Sequence, residues 1–126
     1  MLIQNERIIP CDIDDTLVMT SLGSPTYGKK GIKVKDPLSD SYFYLIPNTA
    51  MIRLIKEEMS RGAFIIFWSR GGYQWAANVV QALGIDTKNA LIMTKPLVYF
   101  DDKDVSEWLK DRVYLTHLTK YKNPNN

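Results

Sequence analysis

Cysteine and histidine are nearly absent from this 126-residue chain, which has one of each, Cys11 and His117. A lone cysteine excludes an internal disulfide, and without Cys/His pairs there is no zinc-site spacing to read. Cys11 follows Pro10 in an apolar run, the setting of a buried, inert thiol. His117 has no acid or serine beside it, so no Ser-His-Asp triad can be built on it. Long hydrophobic runs are missing as well, since nothing approaches the roughly 18 apolar residues of a membrane helix. The opening MLIQNERIIP lacks the basic leader and apolar core of a signal peptide. A reducing, cytoplasmic setting without membrane contact is the expectation. Strong net charge is absent too: 16 Lys and Arg against 14 Asp and Glu leave +2, which points to no partner.

What is present is an ordinary globular balance, 45% hydrophobic and 24% charged, in a length that suits one domain spanning 1–126. The distribution of acids is less ordinary. Of ten aspartates, three sit in 12–15 and three in 101–104. Two such knots in a slightly basic chain suggest a cation site.

The apolar pattern predicts where those knots fall. Ile8–Ile13 reads as a buried strand that delivers Asp12 to its tip, although Pro10 cannot donate to a central ladder. IKVK (32–35) and YFYLI (42–46), around DPLSDS, read as a hairpin. Asn48 is the expected cap of a helix over 49–61 that stops at Gly62. AFIIFW (63–68) has the pattern of a strand buried on both faces. After the turn Ser69-Arg70-Gly71-Gly72 comes a helix to about Leu83, with Gly84 as its stop. Ala90–Met93 and Leu97–Phe100 are two more strand-like runs. Residues 104–111 read as a helix capped by Asp104, Val113–Leu115 as a last strand, and KYKNPNN as a frayed tail. Alternating strands and helices predict an α/β domain with an open, Rossmann-like parallel sheet and helices on both faces.

In such sheets, ligands bind outside the carboxyl ends of the strands. Asp12 and Asp14 end the first predicted strand, Ser69 and Arg70 the second, Lys95 the third, and Asp101 with Asp102 the fourth. Spacing of two in extended chain puts Asp12 and Asp14 on one side and turns Asp15 away. Clustered carboxylates need a cation or a shared proton, and a hard oxygen site with room for water and phosphate suits Mg²⁺. An isolated DxD is an ordinary acidic turn; two acid groups, each directly after an apolar run, favour a metal.

IIPCDIDDTL, Ser69 after AFIIFW, Lys95, and Asp101-Asp102 after LVYF together resemble the four ordered motifs of the haloacid dehalogenase superfamily. The resemblance spans residues 8–102 and implies a Mg²⁺-dependent phosphomonoester hydrolase. By that resemblance Asp12 is the nucleophile that forms an aspartyl-phosphate, and Asp14 the acid and base. Ser69 would bind a phosphoryl oxygen and Lys95 would offset charge, so Asp12, Asp14, Ser69 and Lys95 form the catalytic set. Asp12, the Asp14 carbonyl and Asp102 would hold the metal, with Asp101 supporting it. Thr16 would order the loop, while Arg70 and Gly71 are further candidates for phosphate contact. Asp15 stands where many relatives have glycine, and Pro10 is unusual in the nucleophile strand.

The space after the first motif holds about thirty residues and the space after the second has no insertion. The chain therefore resembles the capless members, with residues 17–47 as a flap. The same layout, with the stretch WSRGGYQWA, resembles small hydrolases of the kind phage genomes encode. Tyr73 opens its helix near the site mouth, and Trp75 reads as a packed core aromatic. Lys29, Lys30, Lys33 and Lys35 in the flap, with Tyr27, Tyr42 and Tyr44 near them, leave two substrate readings. A small phosphomonoester such as a nucleotide is favoured over a nucleic-acid 3′-phosphate end, because lysines on a hairpin commonly form its solvated, edge-protecting face. A third reading is a non-catalytic domain that keeps only the metal site.

Overall fold

A computed structural model describes residues 7–19, 31–109, 111–115 and 120–122. The first six residues, the part of the flap holding Tyr27, Lys29 and Lys30, His117 and the last four residues lie outside that description. In chain order the elements are β1 (Ile8–Asp12), β2 (Val18–Met19), β3 (Ile32–Lys35), β4 (Tyr42–Pro47), α1 (Thr49–Ser60), β5 (Phe64–Ser69), α2 (Tyr73–Ala82) and β6 (Ala90–Thr94). A single 3₁₀ turn (Val105–Glu107), β7 (Val113–Leu115) and β8 (Lys120–Lys122) follow.

The architecture is mixed α/β. A parallel sheet of order β1-β5-β6 is accompanied by two helices and by a second, antiparallel sheet of order β2-β4-β3. Its core gathers Ile13, Leu17 and Val18 after β1, Val34 and Leu45 from the hairpin, Ile65 and Phe67 from β5, and Val79 and Val80 from α2. No helix among the described residues is long and apolar enough to cross a membrane.

Pro10 is accommodated because β1 is an edge strand among the described residues. The Phe64 N–H donates to the Arg7 carbonyl at 2.9 Å. Alternation along the strand then turns Ile9 and Cys11 towards β5 and Pro10 towards the open edge, where its missing N–H costs no ladder bond.

In β5, burial alternates. Ile65, Phe67 and Ser69 are fully buried, while Phe64, Ile66 and Trp68 are only partly covered. The expectation of a strand buried on both faces is thus corrected: one face carries the core and the other is half open. Helix α1 starts at Asn48 as expected, its side chain accepting from the Met51 N–H. Helix α2 ends at Ala82, and Gly84 has a φ of 69° just beyond it.

The flap is more tightly built than its name implies. The predicted hairpin forms, and β2 adds to β4 as a third strand. Val34 and Leu45 on its inner face are buried with the main core, and Asn78 of α2 donates to the Lys35 carbonyl at 3.0 Å. Lys33, Lys35, Tyr42 and Tyr44 are exposed, and strand alternation puts all four on the outer face.

Three expectations beyond β6 are corrected. Leu97–Phe100 is not a strand; Leu97, Val98 and Phe100 are largely exposed, Phe100 at 99%. The expected helix over 104–111 shrinks to the one 3₁₀ turn, capped by Asp104 as predicted and closed by a reciprocal Glu107 bond. The start of the expected frayed tail, Lys120–Lys122, is β8, paired antiparallel with β7. Local bonding accounts for the first two: the Tyr99 hydroxyl accepts from the Val105 N–H and donates to Asp104. This ties the apolar run to its own turn.

Candidate active site

At the carboxyl end of β1 the chain folds over a tight turn in which the N–H groups of Thr16, Leu17 and Val18 all point to the Ile13 carbonyl. Burial of Ile13, Leu17 and Val18 anchors that turn and leaves Asp12 and Asp14 partly exposed. Asp15 has a φ of 59°, a left-handed conformation that aspartate tolerates better than most residues. Thr16 orders the loop through its backbone: its carbonyl accepts from the Asn48 side chain at 2.9 Å. Asn48 is fully buried, so one side chain caps α1 and fastens the site loop to it.

The second strand end meets the first. Ser69 is fully buried; its hydroxyl donates to Asp14 Oδ2 at 3.3 Å and accepts from the Gly71 N–H at 2.9 Å. Its one hydrogen is therefore committed to Asp14 in this arrangement rather than held out to a ligand. Gly71 lies against the site, since a Cβ there would come within 3.1 Å of Trp75 and 3.2 Å of Ser69 Oγ. Gly72, with a φ of 105°, precedes α2. Arg70 is exposed.

The third strand end contributes Lys95. Its N–H donates to the Ser69 carbonyl at 2.9 Å, and Nζ stands 3.9 Å from Asp12 Oδ1. Both side chains are more than a third exposed, so this ion pair stabilises the fold by no more than about 1 kcal/mol. Its value is positional: a cation is held beside the carboxylate at the strand tip.

Trp75 is the participant that sequence reading misses. It sits on α2 and donates its indole N–H to Asp14 Oδ1 at 3.0 Å. Instead of serving only as a packed aromatic, it shares Asp14 with Ser69. The available signal was general: an indole that is mostly covered needs an acceptor for its N–H. Thr94, also missed, accepts from the Tyr73 N–H at 2.9 Å and so fixes the start of α2 to the end of β6. Cys11 is buried beside Asp12. Burial, with a smaller contribution from the Asp12 charge, pushes its thiol up to about 12.

Among the described residues, no hydrogen bond or ion pair joins the second acidic knot to this cluster. Asp101 and Asp102 are exposed, and Asp101 accepts from the Lys103 N–H at 3.1 Å. A hydrogen bond with the Asp102 side chain, and then the backbone N–H of Lys103, hold Asp101 below the ordinary aspartate range. Asp104 is likewise held low, chiefly by bonds from Ser106. Among the described residues no three Asp, Glu, His or Cys side chains gather into a metal-binding group. The structure thus joins Asp12, Asp14, Ser69, Gly71 and Lys95 by bonds and an ion pair, and joins neither Asp101 nor Asp102 to them.

Compared with protein-family models, with curated proteins and with solved structures, the chain matches none.

Proposed function

We propose that the protein is a phosphomonoester hydrolase of haloacid dehalogenase-like type, with a Rossmann-like domain and Asp12 as nucleophile on a small phosphorylated substrate such as a nucleotide. The observation that carries the reading is the convergence of Asp12, Asp14, Ser69 and Lys95 at the ends of three adjacent parallel strands. That is where open α/β sheets bind ligands.

The residues suit two successive displacements at phosphorus. An Asp12 oxygen attacks, the bond to the leaving oxygen breaks, and Asp14 gives that oxygen its proton. Asp14, now a carboxylate, takes a proton from water as the water attacks the aspartyl-phosphate, releasing inorganic phosphate and restoring Asp12. Lys95 stands close enough to Asp12 to offset the charge gathered on the phosphoryl oxygens.

Mg²⁺ fits the donor chemistry in part. The Asp12 carboxylate and the Asp14 carbonyl are hard oxygens at one strand tip, and Mg²⁺ is commonly held by one or two carboxylates with water and phosphate. Bound there, it would supply positive charge beside the transferring group. The expected contribution of Asp101 and Asp102 has no support from their place in an exposed loop. A small substrate suits the flap: Lys33 and Lys35 both lie over the Tyr42 ring, and Lys35 also bonds the Ser39 carbonyl.

The test is hydrolysis of p-nitrophenyl phosphate and a nucleotide panel with Mg²⁺, wild type against Asp12→Asn. Activity in the wild type alone is expected; equal rates in the two proteins would overturn the assignment of Asp12.

A further inference from the structure

Asp14 is held by two donors from different elements. Ser69 Oγ reaches one carboxylate oxygen at 3.3 Å, and Trp75 Nε1 the other at 3.0 Å. A carboxylate bound through both oxygens has its plane fixed, whereas one held at a single oxygen can still swivel about its Cβ–Cγ bond. The Ser69 bond is the longer of the two, and a hydroxyl hydrogen turns about its C–O bond. The indole N–H is rigid and has only one direction in which to donate.

The indole is itself clamped. The Phe43 ring meets it edge-on, with centroids 5.5 Å apart and planes at 77°. On another side the Gly71 backbone packs so closely that a Cβ there would lie 3.1 Å from indole Cδ1. Phe43 belongs to β4, and Asn78 of α2 ties the same hairpin down through the Lys35 carbonyl. Two contacts, Phe43 to Trp75 and Trp75 to Asp14, thus lead from the hairpin to the acid.

We infer that Trp75 is a positioning residue: it aims the Asp14 carboxyl through its indole N–H, and Phe43 of the hairpin holds the indole in place. The inference rests on the proposed role of Asp14, and the contact itself can be read without any turnover.

The contact is read from the indole N–H signals of ¹⁵N-labelled protein. Trp75→Phe, which keeps a ring against Phe43 and Gly71 but has no N–H, identifies the Trp75 signal by its disappearance. Asp14→Ala is expected to move that signal and to leave those of Trp68 and Trp108 in place. Phe43→Ala, which touches no carboxylate, is expected to move it as well. If the Trp75 signal ignores Asp14→Ala, the inference falls, whatever the enzyme does. In turnover, Trp75→Phe is expected to lower kcat about ten- to a hundredfold, the worth of one hydrogen bond to a charged group, with KM changed less than about twofold. A loss carried by KM instead would make Trp75 a substrate contact and overturn the positioning role. Wild-type protein inert towards every phosphomonoester would overturn the functional reading, and the catalytic half of this inference with it.

Discussion

Two apolar runs in this chain, each leading into polar residues of the predicted site, end in opposite states. AFIIFW becomes β5, hydrogen-bonded to strands on both sides, with Phe67 fully buried. LVYF pairs with nothing among the described residues and leaves Phe100 99% exposed. Composition does not separate them, since both are rich in strand-forming residues. Partners do. β5 lies between two strands that leave it no free edge, whereas LVYF is joined by Tyr99 to the turn that follows it. The polar residues after the two runs divide in the same way: Ser69, after the first, donates to Asp14, whereas Asp101, after the second, accepts from the Lys103 N–H of its own loop.

The largest expected effect sets the two acidic knots against each other. Asp12→Asn should abolish phosphatase activity, a loss on the order of 10⁴-fold or more, as for removal of other catalytic nucleophiles. Replacing Asp101 and Asp102 together by Asn should cost less than about tenfold, because neither belongs to the cluster around Asp14. An equal loss in steady-state rates would break the comparison and join the second knot to the first.

Stability offers the next contrast. Phe67→Ala should lower unfolding free energy by about 3–5 kcal/mol in a denaturant titration, the usual cost of emptying a core phenylalanine site. Phe100→Ala should stay within about 0.5 kcal/mol of wild type. A large loss at Phe100 would mean that the second run is buried after all.

Caps differ in the same way. Asn48→Ala removes both the bond to Met51 and the bond to the Thr16 carbonyl, and should cost about 1–2 kcal/mol. Asp104→Ala frees only an exposed local turn, and the thermal midpoint should not move.

The smallest effect concerns pH. Arg7 grips Glu58 with two bonds, joining the residue before β1 to α1, and this bond holds the Glu58 carboxyl below its ordinary range. A lowered carboxylate contributes stability that is present above the ordinary glutamate value and is lost as pH falls through the lowered one. Glu58→Gln should therefore cost about 0.2–1 kcal/mol near neutrality. The gap from wild type should close in acid, as melts at a series of pH values would record.

Much of the first region was legible in the sequence. The β1 tip, the β3–β4 hairpin, the Asn48 cap, β5 and the glycine stop of α2 all follow from local pattern, and their residues agree with the packing they enter. Trp75 was not legible as a partner of Asp14, because the two are 61 residues apart and only the meeting of α2 with the β1 turn joins them. Pro10 read as an obstacle because the sequence does not say that β1 lies at an edge among the described residues. The run beyond β6 was misread because LVYF has strand propensity, and propensity does not reveal that Tyr99 bonds the run to the turn that follows it.

The sequence by itself determined which residue types could do chemistry and the main strands and helices as far as β6, because turns, caps and apolar periodicity act over a few residues. Only the tertiary structure decided which acids share a site. Asp12 and Asp14 look like Asp101 and Asp102 on paper, and they differ in their surroundings because donors and cations reach a carboxylate only through the strands and helices packed around it.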